Sequence, residues 1–337
     1  MSWLEKRWYS HKPAPCILAP LEALYRYLSG KKTKRDLEAQ WHAPVPLVVV
    51  GNITSGGTGK TPLTIYLVEL LKRNGFTPGI VSRGYKSKAS YYPFDVSKAS
   101  SPREAGDEPY MLHARCQCPV IIDADRVSAV QYLLEHYDCD VVLSDDGLQH
   151  YCLGRDIEIA VIDSKRGLGN QRQIPMGPLR EPIGRLQQVD FIVTNGGDWS
   201  ELPSELASYP MALNPTVLKN CINGTEQSIE SFKPRKINAI AGIGNPQRFF
   251  DTLRSLFDAE IKCHPKPDHH QFIQSDFDFR SGEVTVMTEK DAVKAAPLNL
   301  TGAWYLEVSA QLPTNFESAI MMQVERIAKE KGNRNNG

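Results

Sequence analysis

A glycine-rich loop in the first quarter of the chain has the residue types that phosphate chemistry requires. Binding a nucleotide takes inward-pointing backbone N–H groups at a helix N-terminus, a lysine for the terminal phosphates and a hydroxyl for Mg²⁺. Lys60 would contact the β- and γ-phosphates of ATP, and Thr61 would ligate the metal. The predicted ATP-binding residues are Thr54, Ser55, Gly56, Gly57, Thr58, Gly59, Lys60 and Thr61.

The surroundings of this loop support the prediction, although Thr54 stands where the usual pattern has glycine. Pro46–Val50 is a short apolar run, typical of a strand buried in a parallel sheet. A stripe of leucines at helical spacing follows the loop and stops near Asn74. Strand, loop and helix thus occur in the required order, which argues against the alternative of a chance glycine-rich turn.

Two adjacent acids follow a second apolar strand. Asp145 and Asp146 come at the end of the run Asp140–Ser144. A Mg²⁺ ion at such a loop is held partly by an aspartate in this position, so both are candidate metal residues. One could ligate while the other orients solvent or substrate, and the alternative for either is capping of the next turn. Gln149 and His150 lie just beyond and could face the same cleft.

Phosphate transfer to an alcohol also requires a base or an orienting acceptor for the attacking hydroxyl. Asp107 and Glu108 precede a helical run at Tyr110–Ala114, so capping explains their placement adequately. Asp107 is therefore a candidate base by its chemistry rather than by its spacing. His269 and His270 could bind a metal, but a histidine pair without further ligands is more often polar surface.

The elements around these residues predict an α/β fold with two domains. At 337 residues the chain exceeds the usual size of one domain, and strands alternate with helices as in doubly wound sheets. The predicted strands are Thr77–Ser82, Pro119–Asp123, Ile157–Asp163 and Asp190–Thr194, and later Ile237–Ala241, Val284–Met287 and Trp304–Val308; helices are predicted over Arg126–His136 and Gln247–Phe257. We predict a P-loop NTPase-type parallel sheet domain at 36–200, a connection at 201–235 and a smaller α/β domain at 236–337.

The N-terminal segment, residues 1–35, combines apolar and aromatic side chains with many cations. Apolar residues recur at helical spacing from Leu21 to Leu28, and a basic cluster runs from Lys31 to Arg35. This pattern is typical of an amphipathic helix in a bilayer interface. The alternative is a helix docked on the protein's own core. No apolar run reaches the roughly 18 residues that a spanning helix needs.

Charge and cysteine content exclude other classes. Lys plus Arg equals Asp plus Glu at 39 each, which argues against a protein-wide field for nucleic acid, so we expect no nucleic-acid partner. The seven cysteines are irregularly spaced, and Cys116 and Cys118 lack the second pair of a zinc site. A reduced, cytosolic setting is the better interpretation.

Further motifs occur along the chain besides the glycine-rich loop. They are Val48–Asn52, Ser82–Tyr85, Gly106–Pro109, Asp123–Arg126, Asp145–His150, Pro175–Pro182, Pro267–His269 and Thr288–Asp291. Taken together, these motifs resemble those of the tetraacyldisaccharide 4'-kinases, the lipid A 4'-kinases of Gram-negative bacteria. The resemblance covers most of the chain, and the family tolerates the Thr54 start of the loop.

The resemblance implies transfer of the γ-phosphate of ATP to the 4'-hydroxyl of a tetraacyldisaccharide 1-phosphate in lipid A biosynthesis, in a cleft between the two lobes. It implies that Asp107 is the base, assisted by a histidine that maps to His269, with His270 adjoining it. It also implies roles for Lys60 in catalysis and for Asp145 and Asp146 with Mg²⁺ and the phosphates. The implied substrate-binding residues are Tyr85, Arg126, Gln149, His150 and Arg180, of which Arg126 and Arg180 could hold the lipid's 1-phosphate or the nucleotide.

An acylated disaccharide stays in the membrane, so the resemblance also favours the interfacial interpretation of residues 1–35. We expect a peripheral protein on the cytoplasmic face of the bacterial inner membrane. The alternative function is a membrane-associated P-loop ATPase that switches a protein partner; it does not account for Asp107, Arg180 and His269 together. A binding module with a degenerate loop is disfavoured by the intact Lys60 and Thr61.

Overall fold

A computed structural model describes residues 3–10, 15–280 and 283–335 of the chain. Its elements are, in order, α1 Trp3–Trp8, α2 Ala19–Glu38, β1 Leu47–Gly51, α3 Lys60–Arg73, β2 Pro78–Ser82, β3 Phe94–Asp95, α4 Pro102–Ala105, α5 Asp107–Cys116, β4 Val120–Ile122, α6 Arg126–His136, β5 Val141–Asp145, β6 Ile157–Asp163 and β7 Phe191–Asn195. There follow β8 Tyr209–Asn220, β9 Glu226–Ser228, β10 Lys236–Ala241, α7 Pro246–Leu256, β11 Glu260–Pro265, β12 Val284–Thr288, α8 Glu289–Ala295, β13 Ala303–Gln311 and α9 Thr314–Asn335.

The first lobe is built on strands in the order β3-β4-β2-β5-β1-β6-β7, and every pairing except β3 with β4 is parallel. All residues of β1, β2, β5, β6 and β7 are buried, as expected for strands covered on both faces. This confirms the predicted α/β class. Because the strands are parallel, their carboxyl ends meet at one edge, where ligands bind in such sheets.

Helices cover both faces of this sheet. On one face α3, α5 and α9 contribute Leu67, Leu112 and Phe316 to a core shared with β1. On the other face α6 packs Leu133 against the opposite side of the same strands. The layers hold the loop after β1 at the centre of the ligand-binding edge.

The second lobe has a smaller parallel sheet in the order β11-β10-β12-β13. Helix α7 packs Phe250 and Leu253 on one face, and α8 packs Ala292 and Ala295 on the other. The predicted strands and the helix of this region are confirmed, and β10, α7, β12 and α8 occur in the expected order.

Strand β8 joins the two lobes and departs from the sequence-based prediction of a plain connection at 201–235. Its residues 209–211 pair in parallel with β7, and residues 212–220 pair antiparallel with β13. The sequence pattern does not indicate this strand, because it contains Pro210 and Pro215 and Pro is a weak strand former. Most of its residues are also exposed or half-exposed, so it has no continuous apolar run. Pro215 lies where the register with β13 shifts, so a β-bulge accommodates it. The lobes therefore share one continuous sheet.

The last helix does not fit the predicted boundary of 236–337 for the second domain. Helix α9 follows β13, crosses back and packs Phe316, Ile320 and Val324 into the core of the first lobe. Near its end Lys331 bonds to the Ala43 carbonyl at 2.9 Å and to Asp156 at 2.6 Å. No helix was predicted from the sequence over this range, and local periodicity carries no information on which lobe a helix packs against.

The N-terminal helix α2 presents its apolar residues outward. Leu21, Leu24 and Leu28 are each more than half exposed, whereas Glu22 is only 4% exposed. Helix α2 is therefore not docked on the core through Leu21, Leu24 and Leu28, as the alternative to an interfacial helix would require. Residues 1–2 and 11–14 of the predicted membrane-interface segment lie outside the described part of the chain. Within the part described, no helix is long and apolar enough to cross a membrane.

Candidate active site

The glycine-rich loop lies between β1 and α3, and two of its glycines are required by geometry. Gly56 and Gly59 have φ of 106° and 98°, in the left-handed region that favours glycine. A Cβ at Gly59 would lie 2.3 Å from the side-chain nitrogen of Asn195. That nitrogen donates to the Thr58 carbonyl at 2.9 Å, so the end of β7 fixes the loop from behind.

The first two residues predicted for the loop are paired with another segment. The Ser55 N–H donates to the Pro178 carbonyl at 2.7 Å, and Thr54 forms a bridge with Leu179. Their backbone groups are therefore engaged by the strand-like segment that precedes Arg180. The candidate phosphate-binding part of the loop is therefore the shorter stretch Gly56–Thr61.

Lys60, the first residue of α3, reaches back across the loop. Its Nζ lies 3.3 Å from Asn52 Oδ1 and 3.4 Å from Asp146 Oδ1. Asn52 is buried and also donates to the Gly56 carbonyl at 3.2 Å. The lysine thus stands at the mouth of the loop with its charge held toward the strand edge. Thr61 follows in the first turn of α3.

The paired acids have different surroundings. Asp145 ends β5, is buried, and accepts a hydrogen bond from Thr64 Oγ1 at 3.1 Å. Burial raises its pKa to about 7, and Glu108 and Asp146 add to the effect. At Asp146 burial also acts to raise the pKa, but the charges of Lys60 and Arg180 outweigh it and hold that pKa below its usual range. Among the described residues the two carboxylates contact the side chains of Thr64, Lys60 and Arg180 rather than backbone N–H groups of the next turn, which disfavours the capping alternative.

Arg180 is the second cation beside Asp146. Its Nη1 lies 3.4 Å from Asp146 Oδ1 and 3.3 Å from Gln149 Oε1, while its backbone N–H donates to the Ile53 carbonyl at 2.7 Å. Gln149 donates in turn to the Asn52 carbonyl at 3.0 Å. The segment 178–181 therefore runs beside the loop and brings the Arg180 guanidinium next to Asp146, one of the two candidate metal ligands.

Arg126, His150 and Arg83 lie next to these acids; Arg126 is buried, His150 is half-buried and Arg83 is exposed. Arg126 is 2% exposed, and only its Nη1 is bonded, to the Asp123 carbonyl; within the described residues its Nε and Nη2 have no hydrogen-bond partner. Burial lowers the pKa of Arg126 to about 10. Burial, then Arg126 and Arg83, lower the pKa of His150 to about 3, so its ring is neutral near pH 7. Such an unpaired buried guanidinium suits an anionic ligand.

The candidate base and its histidine come from different lobes. His269 Nδ1 lies 3.4 Å from Asp107 Oδ2, and both side chains are largely buried. The ring of Tyr85, itself 56% exposed, meets the His269 ring edge-on at 5.1 Å. His270 instead bonds to Asp276 at 2.9 Å. The sequence left the histidine register open, and the geometry selects His269.

The site contains residues that sequence reasoning missed. Arg83 follows β2 directly, and its position at the carboxyl end of a parallel strand was the available signal. Arg166 donates to the Gly244 carbonyl at 3.2 Å, and Arg248 of α7 donates to Asn195 at 3.0 Å. Lys290 of α8 contacts Glu108 at 2.8 Å. The last three make contacts between the lobes, which no local pattern announces.

The oxygen-bearing residues at the strand edge suit Mg²⁺. In the described part of the chain no group of three or more His, Cys, Asp or Glu residues could hold a metal ion. Mg²⁺ prefers one or two carboxylates together with substrate phosphates and water, so a protein cage is not required. Asp145, Asp146 and the Thr61 hydroxyl are the available ligands, and a cation would stabilise the ionised form of Asp145.

Comparison with known proteins agrees with this geometry. The profile of a family described as tetraacyldisaccharide-1-P 4'-kinase matches residues 14–325. The chain belongs to this family. A tetraacyldisaccharide 4'-kinase of Nitrosococcus oceani is 42% identical over 98% of this chain and 97% of its own length. One of Pseudomonas putida is 46% identical over 91% of each chain.

A solved structure supports the fold and the nucleotide. The crystal structure of LpxK from Aquifex aeolicus in complex with ATP superposes with a TM-score of 0.79 and is 30% identical, covering 93% of this chain and 98% of that one. This tetraacyldisaccharide 4'-kinase family chain is therefore an ATP-binding kinase, and the family assignment favours the kinase over the ATPase switch.

Proposed function

We propose that this kinase phosphorylates the 4'-hydroxyl of a tetraacyldisaccharide 1-phosphate with Asp107 as the general base. The contact of 3.4 Å between Asp107 and His269 carries the proposal, because it pairs a carboxylate of one lobe with an imidazole of the other. A base for an alcohol must lie within hydrogen-bond reach of the hydroxyl, and a histidine partner orients it. Asp107 is 13% exposed, which is enough for a substrate to contact it.

The donor half is the loop after β1. The N–H groups of Gly56–Thr61 and Lys60 would bind the phosphates of ATP at the N-terminus of α3. Asp145, Asp146 and Thr61 would hold Mg²⁺, which withdraws charge from the phosphates when it is bound. Lys60 and Arg180 both contact Asp146 and would turn toward the γ-phosphate as it gains charge.

In the transfer step the sugar 4'-oxygen forms a bond to the γ-phosphorus as the bond to the β,γ-bridging oxygen breaks. The hydroxyl proton passes to Asp107, and ADP leaves with the bridging oxygen. His269 steadies the carboxylate and the proton that it accepts. The second lobe supplies the turn Gly242–Gly244, which lies against the loop near Gly57 and would help to exclude water from the phosphates.

The buried Arg126, with the half-buried His150 and the exposed Arg83 beside it, would bind the 1-phosphate of the acceptor. Two nitrogens of Arg126 have no hydrogen-bond partner among the described residues, and burying them is costly unless an anion accepts their hydrogen bonds. Tyr85, whose ring meets that of His269, and Gln149, which lies beside Arg180, would contact the sugars. This assignment gives the lipid headgroup a fixed anchor at one end and the base at the other.

The N-terminal helix would bring the enzyme to its lipid. Leu21, Leu24 and Leu28 form an exposed apolar row on α2, and the exposed Lys31 and Lys34 follow it on the same helix. Apolar residues at a bilayer interface and cations on anionic lipid both stabilise such contact. We place the protein as a peripheral enzyme on the cytoplasmic face of the bacterial inner membrane.

The test is transfer of labelled γ-phosphate. Purified full-length protein with ATP, Mg²⁺ and a tetraacyldisaccharide 1-phosphate in mixed micelles should yield a lipid with one more phosphate, attached at the 4'-oxygen by phosphorus NMR. ATP hydrolysis without lipid phosphorylation would contradict the proposal and favour a switch ATPase. Omission of Mg²⁺ in the presence of a chelator should abolish transfer.

A further inference from the structure

Lys290 lies at the junction of the two lobes, and nothing in the proposed chemistry uses it. It is the second residue of α8, and its side chain is 15% exposed. Its Nζ lies 2.8 Å from Glu108 Oε1 in the first lobe and 3.6 Å from Asp268 Oδ1 in the second. One ammonium group therefore joins carboxylates from both sides of the cleft.

Both partners of Lys290 are chain neighbours of the base and its histidine. Glu108 follows Asp107, and Asp268 precedes His269. The Asp268 oxygen that pairs with Lys290, Oδ1, also accepts a hydrogen bond from the backbone N–H of His269 at 3.0 Å. His269 has φ of 59°, a conformation that few non-glycine residues adopt without support. The lysine thus acts on the residue that holds His269 in its strained backbone conformation.

The N-terminal turn of α8, which carries Lys290, is held in place by ion pairs and a hydrogen bond. The carboxylate of Asp291 is fully buried, pairs with Lys294 at 2.6 Å and accepts the Gly242 N–H at 2.9 Å. On the other side of Lys290, Glu289 pairs with Arg115 of α5 at 2.9 Å. Helix α8 is therefore fixed both to its own lobe and to the helix that begins with Asp107.

The charges at this junction explain why a cation is needed there. Asp107, Glu108 and Asp268 all lie close enough to Lys290 to raise its pKa, and like charges gathered around one point repel one another. Burial acts to lower the pKa of Lys290, but Glu108 and Asp268 outweigh it and hold that pKa above its usual range. The ammonium is therefore charged and offsets the repulsion.

We infer that Lys290 is a positioning residue for phosphate transfer: by binding Glu108 and Asp268 together it holds His269 within reach of Asp107 when the lobes are closed. The inference rests on the proposed role of Asp107 and His269. It assigns Lys290 no contact with ATP or with the lipid. Its loss should therefore slow the chemical step and leave the binding of ATP to the first lobe unchanged.

The test compares Lys290→Met with the control Lys236→Met, which removes a surface lysine paired with Glu260 in the same lobe. Lys290→Met should lower kcat by about tenfold or more, with the ATP dissociation constant within about twofold of wild type. Lys236→Met should behave as wild type. Lys290→Arg keeps the charge and should bring kcat to within about threefold of wild type. Such a recovery would show that the loss in Lys290→Met comes from the missing charge.

A double variant separates positioning from general destabilisation. Because Lys290 acts through His269, His269→Ala/Lys290→Met should be within about threefold of His269→Ala alone. A full additional tenfold loss in the double variant, wild-type kcat in Lys290→Met, or no recovery in Lys290→Arg would overturn the inference. Wild-type kcat in Asp107→Ala would instead refute the assignment of the base, so the two failures are distinguishable.

Discussion

Asp107 and His269 are separated by 162 residues in the chain, yet Asp107 Oδ2 and His269 Nδ1 lie 3.4 Å apart. Asp107 begins α5 in the first lobe, and His269 lies in the loop after β11 in the second. The contact exists only because β8 links the two sheets and α8 docks on α5. The pairing of the candidate base with its histidine therefore depends on both lobes, whereas the glycine-rich loop lies within one lobe.

Replacing His269 by alanine should lower kcat by about ten- to a hundredfold, because Asp107 loses the group that orients it and shares the accepted proton. His270→Ala is the matched control, since the adjacent histidine pairs with Asp276 rather than with Asp107. Steady-state transfer of labelled phosphate to the lipid measures both. Equal losses in the two variants would show that the loop, rather than His269 itself, is what matters.

Arg126→Met should reduce kcat/KM for the tetraacyldisaccharide 1-phosphate by about a hundredfold or more, because a buried charge-assisted contact to a phosphate is lost. The same variant should lose much less with an acceptor that lacks the 1-phosphate. Competition between the two acceptors, followed by mass spectrometry, gives this difference. If both acceptors lose equally, Arg126 serves the nucleotide or the fold instead.

Asp145→Asn should stabilise the nucleotide-free protein in alkaline solution. The pKa of Asp145 is about 7 in the folded chain, well above its ordinary value of 3.8, so the folded chain binds this proton more tightly than the unfolded chain. The contribution of this group to stability is therefore full below about pH 4 and is lost as the pH rises through about 7. Asparagine cannot ionise, so we expect Tm to rise by roughly 5 °C at about pH 8.

The same Asp145→Asn substitution should change Tm little at about pH 4 and should abolish most transfer activity at any pH, because the proposed Mg²⁺ ligand is lost. Scanning calorimetry at the two pH values, without ATP or Mg²⁺, is the measurement. A variant that is less stable than wild type at about pH 8 would show that the Thr64 hydrogen bond outweighs the cost of the buried charge.

Replacing Leu21, Leu24 and Leu28 together by serine should weaken binding to vesicles that contain anionic lipid by about tenfold or more, because three exposed apolar side chains leave the interface. Transfer to a water-soluble, short-chain acceptor should stay as in wild type. Ile222→Ser is the matched control, since Ile222 is 52% exposed but lies far along the chain in the turn after β8. Vesicle flotation measures binding. Unchanged flotation of the triple variant would remove α2 from membrane contact.

The donor half of the site was largely predictable from sequence. Apolar runs followed by glycines, or by Asp145, mark parallel strands whose carboxyl ends meet, and this rule places Lys60 near Asp146 without any long-range information. The exception is Ser55, whose backbone is engaged by Pro178. That pairing depends on an irregular segment with no periodicity from which to read it.

The acceptor half could not be predicted from local patterns. Asp107 resembled a residue at a helix start, and His269 resembled polar surface, until closure of the lobes brought them together. Only the family resemblance related them. Lys290 and Arg248 were missed for the same reason, since each makes its informative contact with the other lobe. Strand β8 was missed because Pro210 and Pro215 conceal it.

The most direct test of the proposed mechanism is the single-turnover rate of γ-phosphate transfer by Asp107→Asn, which keeps the shape of the side chain and removes its basicity. With acceptor lipid in excess and ATP bound, rapid quenching should give a rate about a thousandfold or more below wild type, while the ATP dissociation constant changes by no more than about twofold. A transfer rate within about threefold of wild type would contradict the assignment of Asp107 as the base.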